Sequence, residues 1–349
     1  MNNFRQDAVP ASPGPSDPRL EELSVWLRQE VKIPCDRIVP TSGDASFRRY
    51  FRVFSTDRSL IAMDAPPARE DVRPFVQVAR LLELAGVNVP RLHAVDERRG
   101  FVLLADLGTL CYRDELDADS VDRLYRDAIE ALVTFQQAVD TGSCGRPPYG
   151  EELLRRELGL FKEWFLERLS GVQLEPADDA LIEATAATLI QSALEQPRVF
   201  VHRDYHSRNL MVCLEGNPGI LDFQDAVIGP ITYDLVSLLR DCYVSWPESR
   251  VDRWVDCYLE TARQRGLALT CGASQFRRWF DLMGMQRHLK AVGIFARLAL
   301  RDGKSGYLAD IPRTLAYVTE VSGRYPELAG FAAFLEREVV GRSLDLVAA

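Results

Sequence analysis

One segment limits what this chain can become more than any other. Val199-Phe200-Val201 runs into His202-Arg203-Asp204, Asn209 precedes Leu210-Met211-Val212, and Gly219-Ile220-Leu221 ends in Asp222-Phe223. Short apolar runs bounded by turn residues read as strands. If residues 210–212 pair with 220–221 as a hairpin, Asn209 and Asp222 come to neighbouring strand ends, with Asp204 at the mouth of the same loop. Such oxygens suit Mg²⁺, a hard cation that takes one or two carboxylates and leaves the rest of its shell to phosphate oxygens. Phosphoryl transfer asks for charge neutralisation and positioning more than covalent help. Asp222 and Asn209 are therefore read as metal donors, and Asp204 as the catalytic group that accepts or orients a substrate hydroxyl's proton. Each is an ordinary turn residue alone; all three in a strand–loop–strand setting carry the reading. His202 reads as a packed anchor of the loop. A rival makes His202 and Asp204 an iron-binding H-x-D pair, with His206 or His288 as third ligand, but wants a larger β support. A zincin helix fails because Arg203 stands where its glutamate belongs.

The rest of the chain supplies a frame of matching size. Its 349 residues, 47% hydrophobic, suit two domains or two lobes of one fold. A net charge of −9 argues against a nucleic-acid partner. No run approaches the roughly 18 apolar residues of a membrane span, and residues 1–16 hold no apolar signal core. Seven scattered cysteines without a C-x-x-C pair read as reduced thiols, so the expected location is cytoplasmic. Asp17-Pro18 opens a helix, a three-strand meander follows between 37 and 63, and residues 72–84 form a helix closed by Gly86. Residues 101–104 form a buried strand leading to a hinge. Beyond 119 the pattern is helical (119–139, 151–169, 178–194, and from 231 on), interrupted by strands over 198–225. The expected fold class is α+β, two-lobed: a flexible tail over 1–17, a sheet-plus-helix lobe over 18–105, and a larger, mainly helical lobe over 106–349.

His202-Arg203-Asp204-x₄-Asn209 followed by Asp222-Phe223 resembles the catalytic and metal loops of the aminoglycoside phosphotransferase and choline kinase-like superfamily, relatives of protein kinases. Gly229-Pro230 and Tyr233-Asp234-Leu235 match too. The resemblance covers roughly residues 37–301 and implies a protein-kinase-like fold, ATP and Mg²⁺. It makes Asp234 a structural brace beneath the loop, as His202 is. Longer strings, among them Ala62-Met63-Asp64-Ala65-Pro66-Pro67, Leu103 to Gly108 and Gln286-Arg287-His288-Leu289-Lys290, are similar to the anomeric kinases of N-acetylmuramate and N-acetylglucosamine in bacterial peptidoglycan recycling. Those enzymes phosphorylate the C1 hydroxyl. The implied partner is a small amino sugar, with no nucleic acid and no membrane, and a monomer is expected. Other acceptors of the same fold (an aminoglycoside, choline, homoserine) and a non-catalytic pseudokinase are the alternatives.

The resemblance places adenine at the hinge, Ala105, Asp106 and Leu107, and the phosphates under Ser42, Gly43, Asp44, Ala45 and Ser46, whose amides can cradle anions. The sequence departs from the kinase pattern at the third strand: Met63 stands where a lysine should meet the phosphates, and Gln77 or Val76 where its glutamate partner should be. Losing both is self-consistent, since either alone leaves an unpaired charge. Arg48, Arg49 and Arg52 are the substitutes to consider, with Arg49 on the opposite strand face from the other two. For the acceptor, Tyr205 and His206 lie beside Asp204. Glu157, Phe161 and Trp164 share helical spacing, and Arg240, Arg287, His288 and Lys290 are helix charges available to a sugar carboxylate. The bland alternatives are an aromatic core stripe and a solvated charged face.

Overall fold

The computed structural model describes residues 17–41, 47–56 and 58–340. The chain divides into two compact units, one with residues up to Arg73 and Arg91–Asp106, the other with Pro74–Pro90 and residues from Leu107 on.

The smaller unit is an antiparallel sheet with a helix on one face. Its strands are β1 (Arg37–Pro40), β2 (Arg49–Ser55), β3 (Arg58–Asp64), β4 (Leu92–Asp96) and β5 (Phe101–Ala105), in the order β1-β2-β3-β5-β4. Helix α1 (Pro18–Val25) starts on Asp17, whose carboxylate accepts from the amides of Arg19 and Leu20, with Pro18 pre-set for the first turn. Leu23, Trp26 and Leu27 pack on Phe51, Val53, Leu60, Ala62, Phe101 and Leu103. Register fixes which side chains share that face: Arg49 opposes Asp64, Phe51 opposes Ala62, and Val53 opposes Leu60. Tyr50, Arg52, Ile61 and Met63 lie on the other. β4 was not expected from the sequence.

In the larger unit, α2 (Arg73–Leu84) groups with the helical part rather than with the sheet, so the expected 18–105 lobe is divided between the two units. Phe75 of α2 packs on Phe223 in the larger unit, with ring centroids 4.9 Å apart. The one-turn α3 (Tyr112–Glu115) precedes α4 (Val121–Ala138). Then α5 (Glu151–Leu160) continues in π-helical turns through Phe161–Leu169, and α6 (Pro176–Leu194) leads to the strands. β6 (Arg198–Val201) pairs with β9 (Val227–Pro230), a strand the sequence reading lacked, and β7 (Leu210–Met211) pairs with β8 (Gly219–Ile220) as the expected hairpin. Helices α7 (Tyr233–Leu239), α8 (Glu248–Gln264), α9 (Ala273–Asp302), α10 (Ile311–Arg324) and α11 (Ala329–Leu335) complete the unit.

α9 is buried along most of its length, and at Gly293 its backbone lies directly against the end of α5. A Cβ built there would sit 2.6 Å from the carbonyl oxygen of Leu160, with backbone that has nowhere to go. Close approach at Gly293 brings Lys290 and Glu157 of the two helices into ion-pair range, 3.2 Å. Gly293→Ala is expected to cost roughly 1–3 kcal/mol through overpacking, despite alanine's better helix propensity. A urea titration would show a lower midpoint at unchanged slope; an unshifted or raised midpoint would contradict the close-approach argument.

Candidate active site

The loop after β6 is built on two anchors. Asp234, fully buried in the first turn of α7, accepts the backbone N–H of His202 at 2.7 Å and of Arg203 at 2.9 Å, one on each carboxylate oxygen. Those bonds hold Arg203 at φ +80°, a left-handed conformation that a non-glycine residue adopts only when its surroundings dictate it. The second anchor is the His202 ring. Its Nδ1 accepts the Asp204 N–H at 3.2 Å, so its Nε2 carries the proton and donates to the Leu221 carbonyl at 2.9 Å. Burial pushes the His202 pKa down to about 4, keeping the ring in this neutral form. One imidazole thus fixes both Asp204 and the residue before Asp222.

Further bonds close the loop. The Asn209 side-chain amide donates to the Asp204 carbonyl at 3.0 Å, and the Leu221 amide donates to the Asn209 carbonyl at 2.9 Å. Asp222 lies next to that bond at φ +62°, accepting from the Gln224 amide at 2.8 Å. Occupation of the Asn209 nitrogen leaves its amide oxygen as the outward donor. Asn209 and Asp222 are therefore joined through the adjacent Leu221 and offer hard oxygens of the kind Mg²⁺ prefers. Among the described residues no three His, Cys, Asp or Glu side chains converge on a metal position, so the iron triad has no ligand set.

The half-buried Asp204 carboxylate makes no hydrogen bond among the described residues. Burial alone would raise its pKa, but the Lys290 ammonium, with help from His206 and Arg203, holds it below the ordinary value. Lys290 is itself clamped. Glu157, 4% exposed, pairs with Lys290 and with Arg203, accepts from the Tyr149 hydroxyl, and lies 3.4 Å from the Gln286 amide. Against the burial that opposes ionisation, Lys290 and Arg203 keep Glu157 charged, with its pKa lowered. Lys290 completes its shell on the Tyr233 hydroxyl at 3.0 Å.

Asp204, Asn209, Asp222 and the anchor from the next helix thus form one bonded loop assembly. The model of the phosphotransferase enzyme family matches residues 37–269. The chain belongs to that family. An N-acetylmuramate/N-acetylglucosamine kinase of Pseudomonas putida is 48% identical over 323 residues, covering 90% of this chain and 94% of that protein. A protein of the same name from Neisseria meningitidis is 45% identical over 325 residues, covering 92% and 96%. Solved structures of the same fold include an ADP-bound aminoglycoside phosphotransferase APH(2'')-Ib, TM-score 0.58 at 13% identity, covering 86% of this chain and 98% of that one. Choline kinase LicA from Streptococcus pneumoniae matches at TM-score 0.58 and 11% identity, covering 86% and 99%. These likenesses establish the two-lobed protein-kinase-like fold expected from the sequence.

In this phosphotransferase most of the residues expected to meet the acceptor are internal. Tyr205 is fully buried, its hydroxyl donating to the Ala128 carbonyl at 2.8 Å. Phe161 stacks inside on Phe165 at 5.4 Å. Arg240, 1% exposed, pairs with Glu248 and Asp281, and His288 bonds the Arg240 carbonyl at 2.8 Å and stacks on Tyr317. Glu157 is the clamp just described. All five sit inside as internal supports rather than as the exposed acceptor contacts expected: α9 is buried along most of its length, and Glu157 lies on the buried side of α5 with Leu154 and Leu158. Trp164 is half-buried beneath the Arg168 guanidinium, 4.1 Å from its ring. His206, 8% exposed, has a buried Nδ1 without a hydrogen-bond partner. Arg287, 6% exposed, meets the Cys242 sulfur at 3.5 Å and has no carboxylate in ion-pair range among the described residues.

In the smaller unit the expected phosphate contact at Arg49 needs correction. Arg49 lies on the α1 face, paired with Asp17 and Asp64, away from the Met63 face. Arg52 shares the Met63 face and pairs with Asp106, Nε to Oδ2 2.6 Å. Ala105 ends β5, and Asp106 closes this unit before Leu107 opens the other. Ser42, Gly43, Asp44, Ala45 and Ser46 lie outside the described residues.

Proposed function

We propose that this phosphotransferase moves the γ-phosphoryl group of ATP to the C1 hydroxyl of N-acetylmuramate and N-acetylglucosamine. The observation that carries it is the half-buried Asp204 carboxylate, which makes no hydrogen bond among the described residues, on a loop where the Asn209 side-chain amide is tied to the Asp204 carbonyl and the amide of Leu221, the residue before Asp222, to the Asn209 carbonyl. The acceptor is argued from relatives of that name, 48% identical across 90% of the chain.

In this reading the C1 hydroxyl donates its hydrogen bond to Asp204. As the C1 oxygen bonds to the γ-phosphorus, the bond from that phosphorus to the bridging oxygen breaks. ADP leaves, and the hydroxyl proton passes to Asp204. Asn209 and Asp222 would hold Mg²⁺, which supplies neutralising charge to the phosphate oxygens. His202 and Asp234 act only by keeping Asp204 in place.

The test is ADP release with Mg-ATP against N-acetylmuramate, N-acetylglucosamine, kanamycin, choline and homoserine. Turnover with the two amino sugars, giving an acid-labile sugar 1-phosphate, is expected. Turnover only with kanamycin, choline or homoserine would retain the transfer chemistry and reject the acceptor.

A further inference from the structure

Almost every cation around the catalytic loop is spoken for. Arg203 and Lys290 share Glu157, and Arg240, Arg277 and Arg324 share Glu248 and Asp281. Arg208 is different. It stands four residues after Asp204 on the same turn, which is closed by the His206 amide on the Asp204 carbonyl and the Asn209 amide on the His206 carbonyl. Ser207 just before it is pinned to Asp241 through amide and hydroxyl, at 2.9 and 2.5 Å. The Arg208 guanidinium makes no hydrogen bond or ion pair among the described residues, and its Nε is buried without a partner.

What holds it is aromatic. Its guanidinium carbon lies 3.8 Å from the ring centroid of Tyr243 and 5.7 Å from that of Tyr307. Tyr307 stacks on the buried Phe295 at 5.6 Å and 14°, and Tyr243 meets both Phe295 and the His206 ring. Cation–π contact fixes the guanidinium in place but uses none of its N–H donors. A half-buried cation with its donors unspent is organised for an anion that arrives from outside. The planar fork matches a carboxylate two bonds at a time. Arg287, also without a carboxylate partner among the described residues, acts on the same His206, where Asp241 and Asp204 oppose it.

The two proposed acceptors differ in one charged group: N-acetylmuramate carries a lactyl carboxylate on O3, and N-acetylglucosamine a hydroxyl. Resting on the function proposed above, we infer that Arg208, seated on Tyr243 and Tyr307, binds that carboxylate and sets the preference between the two sugars. It is a specificity-determining contact, separate from the transfer chemistry of Asp204.

The experiment compares kcat/KM for the two sugars, and KM for ATP with each, in the wild type, Arg208→Gln and Arg208→Lys. The ratio of kcat/KM for N-acetylmuramate to that for N-acetylglucosamine is expected to fall about 10–100-fold in Arg208→Gln, the worth of a charge-assisted hydrogen bond. Most of the fall belongs in KM, because the carboxylate is remote from the reacting oxygen. Arg208→Lys keeps the charge without the fork and should fall part-way. Tyr307→Leu, which leaves Arg208 in the chain and removes one side of its seat, should lower the same ratio by less, and stands in if Arg208→Gln does not fold. An unchanged ratio, by equal loss or by no loss, overturns the inference. So does a KM for ATP that rises equally with both sugars, which would put Arg208 on the nucleotide phosphates. If the wild type turns over neither sugar, the proposed function itself falls, and this inference with it.

Discussion

Asp204→Asn is expected to lower kcat by about 100-fold, with KM for ATP and thermal stability near those of the wild type. General-base catalysis contributes about 10²–10⁴-fold, and the acceptor decides where in that range an enzyme falls. The anomeric hydroxyl of a reducing sugar is more acidic than an ordinary alcohol, because the ring oxygen withdraws electron density from C1. Less is asked of the base, so less is lost with it. The substitution is also gentle on the fold. The ties of Asp204 to His202 and Asn209 are both made by its main chain, and Lys290 keeps Glu157 when the Asp204 charge is removed. Steady-state kinetics with N-acetylglucosamine would read the effect. A loss near 10⁴-fold would argue against an anomeric acceptor, and a loss under about tenfold would remove Asp204 from the proton's path.

What was readable in the sequence follows from how local each signal is. The strand–loop–strand passage carries its own punctuation, so the β7–β8 hairpin and the joining of Asn209 to Asp222 were legible, whereas the brace expected at Asp234 came from the family resemblance. β9 was hidden because Val227-Ile228-Gly229-Pro230 is short, ends in proline and finds its partner β6 far back in the chain. β4 starts within a turn-like passage, and its pairing with β5 carries a register shift. The burial of the expected acceptor residues was hidden for a different reason. Helical spacing tells which side chains share a face, not what covers it. On α9 the covering is protein, so Gln286, Arg287, His288 and Lys290 are all buried. Arg49 illustrates the converse. Strand alternation placed it opposite Arg52, yet only the sheet register, with Asp64 beside it and α1 above, says which face belongs to which. Arg208 carried no signal at all: an arginine inside a polar loop is unremarkable until the rings of Tyr243 and Tyr307 are found beneath it.

Glu157→Leu is expected to be the most destabilising of these substitutions, by about 3–5 kcal/mol, since removing one partner of a buried ion pair strands the other. Here it strands two, Arg203 and Lys290, and leaves the Tyr149 hydroxyl and the Gln286 amide without their acceptor. In a unit of this size the melting temperature should drop by roughly 10 °C. The consequence for activity is indirect but specific. Arg203 is held at φ +80° partly through its guanidinium, so its release loosens the residue next to Asp204, and kcat should fall with less change in KM for the sugar. A sugar-binding Glu157 would behave the other way, with KM raised and melting unchanged. Adding Lys290→Met should recover part of the lost stability, because the second stranded charge is gone; the coupling in that double-mutant cycle measures the pair. Arg203 stays unpaired in the double variant, so recovery should be incomplete. Full independence of the two substitutions would mean that Glu157 and Lys290 do not meet, and the clamp beneath the catalytic loop would have to be given up.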